Sequence, residues 1–304
     1  LDTEMIKRFR ETMTREELES WYQRLLDSYH KWLSYQMKWR EERNRSMEKL
    51  EFPFIYRKGQ KEMVAGIYHA ISRKEQIFIQ APTGVGKTMS AVFPAVRSIG
   101  EGKAETLFYL TARTITRTVA QDAFEILRQK GLFFKVVTIT AKEKLCFCEE
   151  PDCDPEKCPY AKGHYDRINY AVYELWTTEQ SFDRETILHH AEKWQVCPFE
   201  MSLDLAVWMD GVICDYNYVF DPNVYLKRFF GENVSGEYLF LIDEAHNLVD
   251  RGREMYSAAI SLEDTVRIRK FIKPYSQKLW KKRGKVEKQL NKHIMAIREL
   301  ILKQ

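Results

Sequence analysis

Ala81-Pro82-Thr83-Gly84-Val85-Gly86-Lys87-Thr88 follows the run Gln76–Gln80, and the junction reads as a buried strand, a tight loop and a helix start. Such a loop turns successive backbone N–H groups inward, so that phosphate sits against a helix N-terminus. In that reading Lys87 reaches the β- and γ-phosphates and the Thr88 hydroxyl fills one position around Mg²⁺. The strict form of this loop begins with Gly. Here Ala81 stands first, and Gly84 and Gly86 carry the tight geometry.

The complementary half lies far along the chain, in Tyr238-Leu239-Phe240-Leu241-Ile242-Asp243-Glu244-Ala245-His246. Five apolar residues read as a strand buried on both faces, as parallel strands are. Two carboxylates end it, at the end of an open α/β sheet where ligands bind. Asp243 suits Mg²⁺, and Glu244 suits the polarisation of an attacking water. Together the two segments predict a nucleoside triphosphate hydrolase site with Lys87, Asp243 and Glu244 as its catalytic groups.

The 304 residues allow one large α/β domain with insertions, or two smaller domains. No apolar stretch approaches the ~20 residues of a membrane span, the first thirty residues do not read as a signal peptide, and the expected compartment is the cytoplasm. In that compartment six cysteines read as metal ligands before disulfides. The net charge is only +4, yet residues 265–304 hold thirteen Lys and Arg against Glu287 and Glu299. Such a tail reads either as a contact for nucleic-acid phosphates or as a solvated helix face.

The chain starts at Leu1 and stops at Gln304 inside a helical pattern, so both ends read as cut. Thr14-Arg15-Glu16-Glu17 is a capping box before a long helix, along which Trp21, Leu25, Ser28, Trp32, Tyr35 and Trp39 form one mostly aromatic stripe. Packing is the first reading of that stripe, and base stacking the second. Phe52-Pro53-Phe54 ends the helix. Residues 57–72 read as a helix, 106–111 and 135–140 as strands, and 114–130 as the helix between them. With 211–214 and 238–242 this alternation predicts a doubly wound parallel sheet.

Between about residues 142 and 201 the rhythm breaks, and five of the six cysteines fall there: Cys146, Cys148, Cys153, Cys158 and Cys197. Four thiolates bind zinc or an iron–sulfur cluster. Structural zinc sites favour paired C-x2-C knuckles, which this spacing lacks; scattered cysteines, two of them followed by Pro, suit a cluster better. Cys214, inside a strand, reads as a small core residue.

A Thr-Gly-x-Gly-Lys-Thr loop, a Cys-rich insertion and an Asp-Glu-Ala-His strand, in this order, resemble the XPD/DinG family of iron–sulfur superfamily 2 DNA helicases, from about Phe52 to Val249. The resemblance implies a RecA-like motor domain interrupted by a [4Fe–4S] domain, with ATP as substrate, Mg²⁺, and single-stranded or forked duplex DNA as partner. It implies translocation from 5′ to 3′. Nucleotide binding would fall to Gln60, Thr83, Gly84, Gly86, Lys87 and Thr88, with Gln60 recognising adenine. Leu110-Thr111-Ala112-Arg113-Thr114 resembles the segment that contacts the DNA backbone, so Thr111, Arg113 and Thr114 become DNA-binding candidates. Cys146, Cys153, Cys158 and Cys197 match the cluster ligands, with Cys148 the alternative to Cys153.

The implied organisation is an N-terminal helical segment (1–51), a motor domain in two parts (52–141 and 204–250) around a cluster insertion (142–203), and the start of a basic helical arch-type domain (251–304). The C-terminal motor domain with its arginine is not in this sequence, which therefore reads as the family's N-terminal part. Two other readings compete: a nucleic-acid-binding Cys-rich module without autonomous hydrolysis, and a zinc-containing P-loop ATPase.

Overall fold

The structure, a computed structural model, describes residues 10–82, 84–112, 114–149, 152–259, 261–268, 270, 289, 292–297 and 299, without the side chains of 114 and 115. Helix α1 (Arg15–Glu48) starts at a reciprocal cap, in which Glu17 N donates to Thr14 Oγ1 at 3.2 Å and Thr14 N donates to Glu17 Oε2 at 2.8 Å. The aromatic stripe of this helix divides into two parts. Trp32, Tyr35 and Trp39 pack inward, Trp32 lying 5.5 Å from the Trp176 ring and 4.6 Å from Trp208. Trp21 and Leu25, one helical turn or more earlier, remain exposed.

Helices α2 (Gln60–Ser72) and α3 (Lys87–Gly100) precede strand β1 (Thr106–Thr111), followed by α4 (Thr114–Gln129) and β2 (Val136–Thr138). The cysteine-bearing stretch then runs through α5 (Lys142–Leu145), α6 (His164–Thr178), β3 (Ser181–Phe182), α7 (Arg184–Trp194) and α8 (Pro198–Ala206). Strand β4 (Gly211–Asp215), α9 (Asn217–Phe220), α10 (Lys227–Phe230) and β5 (Tyr238–Ile242) complete the sheet region. The five strands are ordered β3-β2-β4-β1-β5 and all pairs are parallel. Strand β3, from the cysteine-bearing stretch, therefore forms one edge of the sheet. On one face Leu107 and Tyr109 of β1 meet Val92, Val96 and Ile99 of α3, and Phe124 and Leu127 of α4, in a single core. On the other face Phe108 sits among Phe229, Phe230, Tyr238 and Phe240. Gly100 is required where α1 crosses α3, because a Cβ there would lie 2.5 Å from that of Met47.

Two sequence expectations are corrected here. Residues 76–80 do not form a strand, and Phe78 is 87% exposed. A strand exists through its ladder of backbone hydrogen bonds, and among the described residues none pairs with this segment. Ion pairs before and after it, Lys74–Glu237 and Lys87–Glu244, both at 3.7 Å, link residues on either side of the segment to those flanking β5. Strand β5 is not buried on both faces, since Phe240 is partly exposed, and among the described residues it pairs with β1 alone.

A buried polar knot holds α1 against the amino ends of the strands. The Asp210 carboxylate accepts from Trp39 Nε1 at 3.0 Å, Arg43 Nη1 at 2.7 Å and Lys135 N at 2.8 Å. The Lys135 ammonium, itself buried, donates to the carbonyls of Trp176 and Glu179 at the end of α6 and lies 4.5 Å from the Trp39 ring. Chain contacts divide the molecule after Leu248, within α11 (Leu248–Met255). In the second unit Ser261 caps a helical stretch over residues 262–268, its Oγ accepting from Asp264 N at 3.0 Å. Most of the thirteen cations of residues 265–304 lie outside the described residues.

Replacing Asp210 by Ala leaves the Arg43 guanidinium buried without its partner, at an expected cost of about 3–5 kcal/mol. Urea unfolding of the two proteins measures it, and a loss below ~1 kcal/mol removes the knot from any structural role. Burial lowers the Lys135 pKa to about 8 from 10.5, against the opposing pull of Asp210 and Glu179. The folded chain then binds fewer protons at this site than the unfolded chain between those two values. Relative to Lys135→Met, stability should therefore rise by on the order of 1–2 kcal/mol between pH 7 and pH 9.5. A gap between the two proteins that is constant over this range shows that Lys135 keeps its ordinary affinity for protons.

Candidate active site

The loop before α3 is shaped by two glycines. Gly84 and Gly86 have φ of 84° and 82°, a region open to Gly at little cost. A Cβ on Gly86 would also lie 2.6 Å from Gln60 Nε2. The Gln60 amide is engaged on both sides, accepting from Arg57 N at 2.7 Å and donating to Val85 O at 2.6 Å. Gln60 thus holds the loop as well as lying beside it. Lys87 opens α3, and its ammonium lies 3.7 Å from Glu244 Oε1 and 3.4 Å from Ala81 O. Thr83 lies outside the described residues.

The acids arrive from β5. Asp243 N donates to Leu110 O at 2.9 Å, which continues the β1–β5 ladder one step past the strand and fixes where the carboxylates begin. Burial, and next the charge of Glu244, raise the Asp243 pKa above the ordinary carboxylate range. A cation placed there would offset both penalties, so the position suits a hard divalent ion with oxygen ligands. Glu244 has φ of 50°, uncommon for a residue with a Cβ and costing on the order of 1–3 kcal/mol. Its carbonyl is held by Tyr216 Oη at 3.2 Å and Asn247 Nδ2 at 2.9 Å, and Tyr216 also donates to the Asp243 carbonyl. His246 Nδ1 stands 3.4 Å from the Glu244 carboxylate.

Sequence reading missed two buried phenols, Tyr109 inside the apolar run of β1 and Tyr216 between Asp215 and Asn217, and such groups need a partner when buried. The DNA-contact candidates fare differently from one another. Thr111 is fully buried at the end of β1, where its hydroxyl is shared with Thr116, so it offers no side chain to a DNA strand in this arrangement. Thr114 starts α4, and Arg113 lies outside the described residues.

All six cysteines are free thiols. Cys146 ends α5, and Cys197 begins α8 with its N–H donating to His164 Nδ1 at 3.2 Å. Burial pushes the Cys197 thiol up, while the backbone N–H groups of Phe199 and Glu200, facing its sulfur, oppose the shift. Cys148 is pushed up to about 11 by desolvation and by the neighbouring thiols of Cys158 and Cys146. Cys153 contacts the Lys142 ammonium, which Cys197 also influences. Cys214 is buried in β4. Among the described residues no three His, Cys, Asp or Glu side chains are placed to hold one metal ion. The donor set itself, five thiols within one stretch and sulfur-directed amides at Cys197, is the chemistry that iron–sulfur clusters use.

Comparison with known proteins adds the following. The DEAD/DEAH box helicase family matches residues 57–146, and the DEAD_2 family matches residues 125–265. Over 107 residues the chain is 33% identical to a Fanconi anemia group J protein homolog of Gallus gallus, covering 35% of this chain and 8% of that protein. It is 23% identical over 186 residues to an ATP-dependent DNA helicase XPD of Sulfolobus acidocaldarius, covering 61% of this chain and 31% of that one. A solved XPD helicase superposes with a TM-score of 0.45 at 18% identity, over 70% of this chain and 36% of that chain. The chain thus spans less than a third of the length of either curated relative. The two helicase-family matches overlap and together take in the phosphate-loop segment and the acidic strand, and the chain is similar to the XPD-like helicases of superfamily 2.

Proposed function

We propose that the chain is a RecA-like motor lobe of an ATP-dependent DNA helicase that moves 5′ to 3′ along single-stranded DNA and opens forked duplex. The observation that carries this reading is the meeting of Lys87 with Glu244 at 3.7 Å, across the carboxyl end of the parallel sheet. In the proposed organisation, residues 52–141 and 204–250 make the lobe and residues 142–203 the cluster-bearing insertion. Residues 251–304 begin a basic helical domain. A second motor lobe supplies the arginine that completes the transition state.

Without nucleotide, Lys87 and Glu244 neutralise one another. A bound triphosphate takes the Lys87 ammonium, and the amides around Gly84 and Gly86 receive its oxygens. Glu244, released from Lys87, orients the attacking water. Its αL backbone, held by Tyr216 and Asn247, fixes the direction of that carboxylate. Thr88 and Asp243 would hold Mg²⁺, which would supply positive charge to offset that of the phosphates. In the insertion, Cys146, Cys158 and Cys197 with Cys153 or Cys148 would hold a [4Fe–4S] cluster, whose contribution is to order a stretch rich in turns. Gly84, Gly86 and Gln60 shape the nucleotide loop, and a cytoplasmic location belongs to the same reading.

Lys87→Ala should lower DNA-stimulated ATP turnover by ~10²-fold or more, with the melting temperature unchanged. Near-normal turnover in that variant removes the phosphate-loop assignment. Anaerobically purified protein should be brown and carry about four irons, as the donor set of a cluster requires. Cys197→Ser should lose both iron and colour, whereas Cys214→Ser should keep them. If Cys148→Ser bleaches the protein and Cys153→Ser does not, Cys148 is the second ligand. Colourless zinc-bearing protein excludes the cluster.

A further inference from the structure

Gln60 is the residue that the family resemblance assigns to adenine, yet its amide is engaged elsewhere. It opens α2, and its own N–H donates to Arg57 O at 3.0 Å while its side-chain oxygen accepts from Arg57 N at 2.7 Å. This reciprocal pair fixes the direction of the side chain. The amide nitrogen then donates to Val85 O at 2.6 Å, and Arg57 Nη1 donates to the adjoining carbonyl, that of Gly84. Two consecutive carbonyls of the phosphate loop are thus held by residues at the start of α2. Gln60 is only 4% exposed, and the 2.6 Å from its amide nitrogen to a Cβ built on Gly86 places the loop directly against it.

We infer that Gln60 is a positioning residue for the phosphate loop and does not read the base of the nucleotide. The inference rests on the proposed nucleotide site and deepens it, assigning recognition at this residue to the triphosphate. An amide reads adenine by donating to N7 and accepting from the N6 amino group. One donor and one acceptor are the functions that Val85 O and Arg57 N already take up, and the rest of the amide is closed off by burial. A trans peptide is planar, with its C=O and N–H on opposite sides. Holding Gly84 O and Val85 O toward α2 therefore turns the N–H groups of Val85 and Gly86 the other way. Such N–H groups are what a phosphate-binding loop presents to its ligand. Gly84 and Gly86 allow many backbone arrangements, and Arg57 with Gln60 selects one of them. Amides set in advance receive phosphate oxygens without a further loss of loop freedom.

The test is Gln60→Met in the intact chain, which keeps the side-chain length and removes both amide contacts. Calorimetry measures its affinity, in the presence of Mg²⁺, for ATP and for inorganic tripolyphosphate, which has the phosphates and no base. Both affinities should fall together, on the order of 5–10-fold for the lost hydrogen bonds, with their ratio unchanged from wild type. A loss confined to ATP, or markedly larger for it, overturns the inference, because only a reader of the base separates the two ligands. No loss for either ligand overturns it as well, including the case in which the variant melts earlier, since that is a packing role alone. If Gln60→Met does not fold, Gln60→Asn, whose amide stops one methylene short of Val85, is read in the same way. Wild-type chain that binds ATP and not tripolyphosphate overturns the inference and leaves the nucleotide site standing. Wild-type chain that binds neither overturns both together.

Discussion

The parallel alignment of β1 with β4 and β5 is the constraint from which the site follows. Parallel pairing with register Leu110↔Cys214 and Leu110↔Ile242 makes the three strands finish at one level. Their next residues, Thr111, Asp215 and Asp243, are therefore brought to one end of the sheet. Helix α3 packs on the face that carries Tyr109 and starts at that same end, which sets Lys87 opposite Glu244. A one-residue slip of β5 would turn Asp243 to the opposite face. The chemistry thus depends on a hydrogen-bond ladder made by residues that take no part in it.

The opposite end of the sheet is governed by charge instead of apolar packing. Asp210 collects Trp39, Arg43 and the Lys135 backbone, and Lys135 closes the end of α6. Both cations are buried, so each depends on its acceptors being present and in place. This joins α1 to the sheet and to helix α6 of the cysteine-bearing stretch. The insertion is joined to the sheet a second time through β3, so its position is fixed from two sides.

The elements legible in the sequence are those specified by local chemistry. Five apolar residues followed by Asp-Glu gave β5 its observed limits, and the Lys-Thr pair marked the start of α3. The segment 76–80 has an apolar centre of the same kind, Ile77-Phe78-Ile79, yet strand formation needs a partner that composition does not reveal. Thr111 became a DNA-contact candidate through the resemblance of its segment to one that contacts the DNA backbone, whereas its place at the end of β1 turns it inward toward Thr116. Trp39 and Arg43 reach Asp210 across 171 and 167 residues, and no periodicity announces a pairing of that range.

The outer side of β5 has a consequence for the chain as a physical object. A strand paired on one side only, with Phe240 partly exposed, presents backbone donors and acceptors in the spacing of another strand. Natural edges are blunted by charge, and here Glu237 and Glu244 stand at the two ends, both occupied by lysines. Salt screens those pairs and weakens the charge that guards the edge. Concentrated, high-salt solutions of this chain should therefore turn cloudy sooner than dilute, low-salt ones, the reverse of what salt does to a protein that precipitates through attraction between charges.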